Sequence, residues 1–138
     1  MRKKILVVED DLDLVELLRF NLAHADFSVV VAVDGAEALK KARSVLPDLI
    51  LLDLMLPELD GFAVCEILRR DSATAGIPII ILTAMSSQLA RVTGFGAGAN
   101  DYITKPFSPK DLLKRIESFL SSVASPETRF ENLRVSQP

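Results

Sequence analysis

Five short apolar runs, each followed by a stretch with helical spacing, constrain this chain more than any other feature. The runs cover residues 5–8, 28–33, 49–52, 77–82 and 102–104. They are too short for helices and too apolar for a sheet with one wet face, so they predict strands buried on both faces. Between them, Val15, Leu18 and Leu22 form one helical stripe, Ala36, Leu39, Ala42 and Leu46 a second, and Phe62, Cys65 and Leu68 a third. The last helix is the clearest, with Leu112, Leu113, Ile116, Phe119 and Leu120 on one face. Its start carries Ser108 as N-cap, Pro109 in the first turn and Asp111 two residues on. The segment 88–95 is the least clear helix, because Gly94, Gly96 and Gly98 all lower helix propensity.

Strands alternating with helices predict an α/β fold: a parallel sheet with helices on both faces. Right-handed crossovers leave few arrangements, and five βα units suit a doubly wound, flavodoxin-like sheet in the order 2-1-3-4-5. Strands 1 and 3 then lie side by side at the switch point, where a crevice opens at their carboxyl ends. Those two ends carry Glu9-Asp10-Asp11 and Asp53.

The rest of the composition excludes more than it selects. A chain of 138 residues is one domain with room for a full core. With 49% hydrophobic and 25% charged residues it is globular rather than disordered. A net charge of -3 gives no electrostatic footprint for nucleic acid. The lone Cys65 cannot form an internal disulfide, which fits a reducing, cytoplasmic setting, and no apolar run approaches a membrane span. Cys65 falls on the third helical stripe and reads as core; His24, the only histidine, reads as a surface residue without a partner.

Several carboxylates at one crevice repel one another and raise each other's pKa values. A hard divalent cation relieves that, and Mg2+ favours a few carboxylates together with water and phosphate oxygens. Thr83, ending strand 4, offers a hydroxyl, and Lys105, following strand 5, an ammonium. A carboxylate nucleophile, a cation, a hydroxyl donor and an ammonium are the parts needed to form and hold an aspartyl phosphate. Taken singly, Thr83 would be a strand-end cap, Tyr102 half-buried packing with its hydroxyl in water, Lys105 a solvated charge, and Asp10 or Asp11 a helix N-cap.

Together, Glu9-Asp10-Asp11, Asp53 with Met55-x-Pro57 and Asp60-Gly61, Thr83-Ala84, and Lys105-Pro106-Phe107 resemble the CheY-like receiver domain of two-component response regulators. The resemblance runs from about Lys3 to Leu120. It implies that Asp53 accepts a phosphoryl group from a phosphohistidine on a sensor histidine kinase. It implies Mg2+, with Mn2+ as a substitute, held by Asp10, Asp53 and the backbone carbonyl of Met55, with Glu9 outside them through water. Thr83, the backbone N–H of Ala84 and Lys105 would meet the phosphoryl oxygens. Thr83 and Tyr102 would form the switch pair, the hydroxyl moving to the phosphoryl group and the ring turning inward behind it. The bond before Pro106 would be cis. No turnover of an external substrate is implied beyond self-phosphorylation from small donors and self-dephosphorylation.

The stretch Asp101–Lys110 is closest to receivers of OmpR/PhoB-type winged-helix transcription regulators. These form homodimers on activation through charged pairs on the fourth helix, fifth strand and fifth helix. Arg91 with Asp111, and Asp101 with Arg115, stand at matching positions, while Leu89, Gly96 and Asn100 replace expected charges. Residues 1–121 then form the receiver and 122–138 a linker with the possible start of an effector domain, since 129–136 alternates polar and apolar residues like a strand. DNA would be contacted only through such an effector. A stand-alone receiver is the alternative. A haloacid-dehalogenase-like phosphatase shares the aspartyl phosphate, and Asp11-Leu12-Asp13 imitates its D-x-D, but its nucleophile follows the first strand. A flavin module would need a loop rich in Ser, Thr and Gly after strand 1, which this chain lacks.

Overall fold

The computed structural model describes residues 2–122. Five strands alternate with five helices: β1 (Lys4–Val8), α1 (Leu12–His24), β2 (Ser28–Ala32), α2 (Gly35–Val45), β3 (Leu49–Leu52), α3 (Gly61–Arg70), β4 (Ile79–Thr83), α4 (Gln88–Gly96), β5 (Asp101–Thr104) and α5 (Pro109–Ser122). All four pairings are parallel, in the order β2-β1-β3-β4-β5. The sheet order predicted from the βα alternation is therefore the one observed.

The two-residue period of each strand divides the core in two. Leu6, Val8, Ile50, Leu52, Ile79, Ile81 and Tyr102 face α2, α3 and α4, packing on Ala38, Ala42, Val64, Cys65, Leu68 and Ala90. Ile5, Val7, Leu49, Leu51, Ile80, Leu82 and Ile103 face α1 and α5, packing on Leu18, Leu22, Leu112 and Ile116. The register Leu6↔Ile50 and Ile50↔Ile79 aligns three central strands so that their carboxyl ends open at one level. Cys65 is fully buried in the first of these layers, as expected of a core thiol.

Three expectations need correction, and the least clear helix is borne out. Strand β4 begins at Ile79 rather than residue 77, because Pro78 has no N–H for the ladder; its carbonyl accepts from the Ile50 N–H at 2.9 Å. The buried stripe of α2 is Gly35, Ala38 and Ala42, while Ala36 and Leu46 are exposed. Leu46 is the C-cap, in left-handed backbone at φ 51°, which turns it off the helix face. The glycine-rich segment does form a helix, α4, capped by the Ser87 hydroxyl. Gly94 is there because a Cβ would lie 2.8 Å from Ile81 Cδ1 and 3.1 Å from the Tyr102 ring. His24 is exposed but not without a partner, since it stacks on Phe20 with ring centroids 4.9 Å apart. The strand expected at 129–136 lies outside the described residues.

Candidate functional site

Four strand ends build the site. The ladder runs one residue past three of them, β1, β3 and β5: Glu9 N–H donates to Ala32 O at 3.0 Å, Asp53 N–H to Val8 O at 3.0 Å, and Lys105 N–H to Thr83 O at 2.8 Å. These bonds fix the backbone of the residues that carry the charges. Glu9 and Asp53 are only 3% and 5% exposed, unusual for unpaired carboxylates, and each has specific partners. Lys105 Nζ lies 2.8 Å from Glu9 Oε1 and 3.1 Å from Asp53 Oδ2. Glu9 Oε2 accepts from the Asp11 N–H at 3.1 Å, and Asp53 Oδ1 from the Met55 N–H at 3.1 Å. Asp11 is the N-cap of α1, accepting from Asp13 and Leu14 N–H. Asp10 is the exposed member of the cluster.

Burial raises the Glu9 pKa and outweighs the bonds from Lys105 and the Asp11 N–H that favour its charge. Burial opposes the Lys105 charge too, but the bond to Glu9 and the charge of Asp53 outweigh it, so the Lys105 pKa is raised. The ammonium is thus held charged between two acids, one of which burial strains toward neutrality. A cleft of about 310 Å³ opens beside it, lined by Asp11, Leu14, Leu17, Lys105, Pro106 and Phe107. The Lys105–Pro106 bond is cis, as the resemblance implied.

Oxygen atoms of Glu9, Asp10 and Asp53 lie within 4.8 Å of one another. All three are hard carboxylate donors, one facing solvent, a set that suits Mg2+ and not a soft thiophilic metal. The residues therefore fit the cation the resemblance implied.

Thr83 is fully buried, with its Oγ1 accepting from the Met85 N–H at 3.4 Å, and Ala84 is exposed beside it. Tyr102 is 1% exposed, with its hydroxyl donating to Met85 O at 2.6 Å. The half-buried alternative with a wet hydroxyl is therefore excluded. Burial raises the Tyr102 pKa, with Arg91 opposing. Arg91 Cζ sits 5.2 Å above the Tyr102 ring, and Phe95 packs beside it at 6.4 Å. Met85 links the two halves of the expected switch pair, bonded by its N–H to Thr83 and by its carbonyl to Tyr102.

A family profile for the response regulator receiver domain matches residues 5–117. The chain belongs to the response regulator receiver family. It is 46% identical over 134 residues, 96% of its length and 55% of the relative's, to the alkaline phosphatase synthesis transcriptional regulatory protein PhoP of Bacillus subtilis. It is 48% identical over 120 residues, 87% of its length and 52% of the relative's, to the DNA-binding response regulator MtrA of Mycobacterium leprae. The chain spans about half the length of the curated relatives it matches, and these relatives are of the OmpR/PhoB type. Among solved structures, a CheY-like receiver domain protein from Methanospirillum hungatei superposes with a TM-score of 0.84 at 30% identity, over 95% of this chain and 99% of that one.

The residues expected on a dimer face already have partners within the chain. Arg115 bonds Asp101 at 3.1 Å and Asp111 at 3.2 Å within one chain, and Arg91 is engaged by the Tyr102 ring. Leu89 and Val92 stand 75% and 60% exposed on α4. Arg69 went unnoticed in the sequence. It donates to Gly98 O, Ala75 O, Ile77 O and Asn100 Oδ1 at 2.7–3.1 Å, tying the loop before β4 to the loop before β5. Asn100 also accepts from the Ile79 N–H at 2.9 Å. The departure at Asn100 and the glycine at Gly98 were the sequence signals near this clamp. No helix among the described residues is long and apolar enough to cross a membrane.

Proposed function

We propose that this receiver accepts a phosphoryl group on Asp53 from a phosphohistidine of a sensor histidine kinase, and that the acyl phosphate switches an output. The observation that carries this reading is the convergence of Glu9, Asp10 and Asp53 beside the Lys105 ammonium at the ends of β1, β3 and β5. Asp53 supplies the nucleophile: a carboxylate oxygen forms the new bond to phosphorus as the bond to the imidazole nitrogen breaks, and the imidazole leaves with the electron pair. Lys105 exchanges carboxylate partners for phosphoryl oxygens, while the Thr83 hydroxyl and the Ala84 N–H stand at the neighbouring strand end to donate to the same group. Asp10, Asp53 and the Met55 carbonyl would hold Mg2+, with Glu9 behind them; bound there, the cation neutralises charge on the transferring group. The chain turns over no external substrate.

The engagement of the Thr83 hydroxyl by phosphate would weaken its bond to Met85 N–H, and Met85 O is what holds the Tyr102 hydroxyl. The signal thereby reaches α4 and its exposed Leu89 and Val92. We assign the output to homodimerisation through α4, β5 and α5, and to transcription control in the cytoplasm. DNA contacts would come from an effector region outside residues 2–122, as the DNA-binding relatives suggest. Acetyl phosphate with Mg2+, followed by size-exclusion chromatography with light scattering, tests the output. A shift from monomer to dimer that chelation abolishes supports it; a mass unchanged after confirmed phosphorylation refutes the dimer.

A further inference from the structure

We infer that Gly61 is a positioning residue for the metal and phosphoryl site, setting the backbone of Asp53 and Leu54 through a contact only glycine allows. The inference rests on the reading of Asp53 as metal-bound phosphoacceptor. Between Asp53 and Gly61 the chain reverses tightly, with Leu59 N–H donating to Pro57 O at 2.8 Å and Glu58 in left-handed backbone at φ 67°. Gly61 opens α3 directly after its N-cap Asp60, whose side chain accepts from the Ala63 N–H. The Gly61 N–H donates back to Leu54 O at 3.1 Å, closing the loop.

A Cβ on residue 61 would lie 2.5 Å from Leu54 Cα and 2.6 Å from Asp53 O. Both atoms are backbone, and Leu54 is anchored in the core at 3% exposure. Gly35 and Gly94 are different: their nearest neighbours are side-chain atoms of Val64, Leu59, Ile81 and Tyr102 and not backbone. At Gly61 nothing can turn aside, so α3 or the 53–55 backbone must shift by roughly 0.9 Å to restore ordinary contact. That backbone carries the Asp53 carboxylate and the Met55 carbonyl. Mg2+ demands near-ideal octahedral geometry, so a shift of this size falls on the metal site and not only on packing.

The test is Mg2+ titration by calorimetry on wild type, Gly61→Ala and Leu22→Ala, with thermal melts of each. Leu22 is buried against the opposite face of the sheet, so its truncation destabilises the fold without reaching the loop. Gly61→Ala is expected to weaken Mg2+ by roughly 10–100-fold, the loss typical when groups supporting metal ligands are displaced. Leu22→Ala, with an equal or larger fall in melting temperature, should keep wild-type affinity. A Gly61→Ala affinity within twofold of wild type would overturn the proposal, as would losses in both variants that track their melting temperatures. The titrations are repeated in trimethylamine oxide, which favours burial in every variant. A Gly61→Ala chain still unfolded there would also overturn it, since a loop able to relieve the contact by shifting does not abolish folding. Wild type without measurable Mg2+ binding would instead sink the reading of the acidic site, and this inference with it.

Discussion

Replacing Lys105 by Met removes the cation shared by two buried acids and leaves the methylene packing nearly intact. The ion pairs lost are 2.8 Å to Glu9 and 3.1 Å to Asp53. Breaking a buried pair from one side typically costs about 3–5 kcal/mol, because the partner stays buried and charged. The Lys105 side chain is 21% exposed, so part of that interaction is already screened. A loss of about 2–3 kcal/mol at neutral pH in chelator follows, or roughly 8–12 °C in melting temperature for a domain of this size. The pH dependence separates this from a packing defect. Glu9 already has a raised pKa, and deleting Lys105 raises it further. A raised folded pKa gives stability that is present below the unfolded value of 4.5 and lost as pH rises through the folded value. The penalty of the substitution should therefore grow between acid and neutral pH. In wild type the raised Lys105 pKa contributes stability below 10.5 that is lost as pH climbs through its folded value. The gap between the two proteins should thus close again at the alkaline end. Urea titrations across that range measure it. A penalty near zero at neutral pH, or one flat with pH, would refute the shared-cation argument.

Two other outcomes follow from the same geometry. Tyr102→Phe deletes the 2.6 Å bond to Met85 O and should cost about 1 kcal/mol by urea denaturation. Because Tyr102 is the only tyrosine and the chain has no tryptophan, tyrosinate absorbance reports it alone, and it should titrate above 10 when folded. Stability tied to that phenol is present below 10 and lost as pH rises through the folded value; a folded titration at or below 10 would contradict its burial. Arg69→Ala removes the donor shared by three backbone carbonyls and Asn100 Oδ1, and should speed hydrogen exchange at residues 97–101 and cost roughly 2–3 kcal/mol, since bonds to a charged donor are the stronger kind. Unchanged exchange there would show the clamp to be redundant.

The sheet order was legible because every strand end coincides with a change in hydrophobic period, and the site because its acids, hydroxyl and lysine all fall at those ends. What escaped was set by tertiary contact. The phase of α2 slipped because its buried residues, Gly35, Ala38 and Ala42, are too small to outweigh Leu39 and Leu46 in a pattern. Gly94 read as a helix breaker because the Tyr102 ring it accommodates lies on another element. Arg69 was invisible because the acceptors it joins are mainly backbone carbonyls, at sequence distances up to 31 residues. Glu9 was read only as an outer metal partner; its ion pair with Lys105 spans 96 residues and no spacing announces it.

The claim on which all of this depends is that Asp53 is the nucleophile. Intact-mass measurement of wild type and Asp53→Asn after incubation with Mg2+ and acetyl phosphate tests it most directly. One added phosphoryl group on wild type, removed by hydroxylamine and absent from Asp53→Asn, is the expected result. The same addition on Asp53→Asn, or none on wild type, would contradict it.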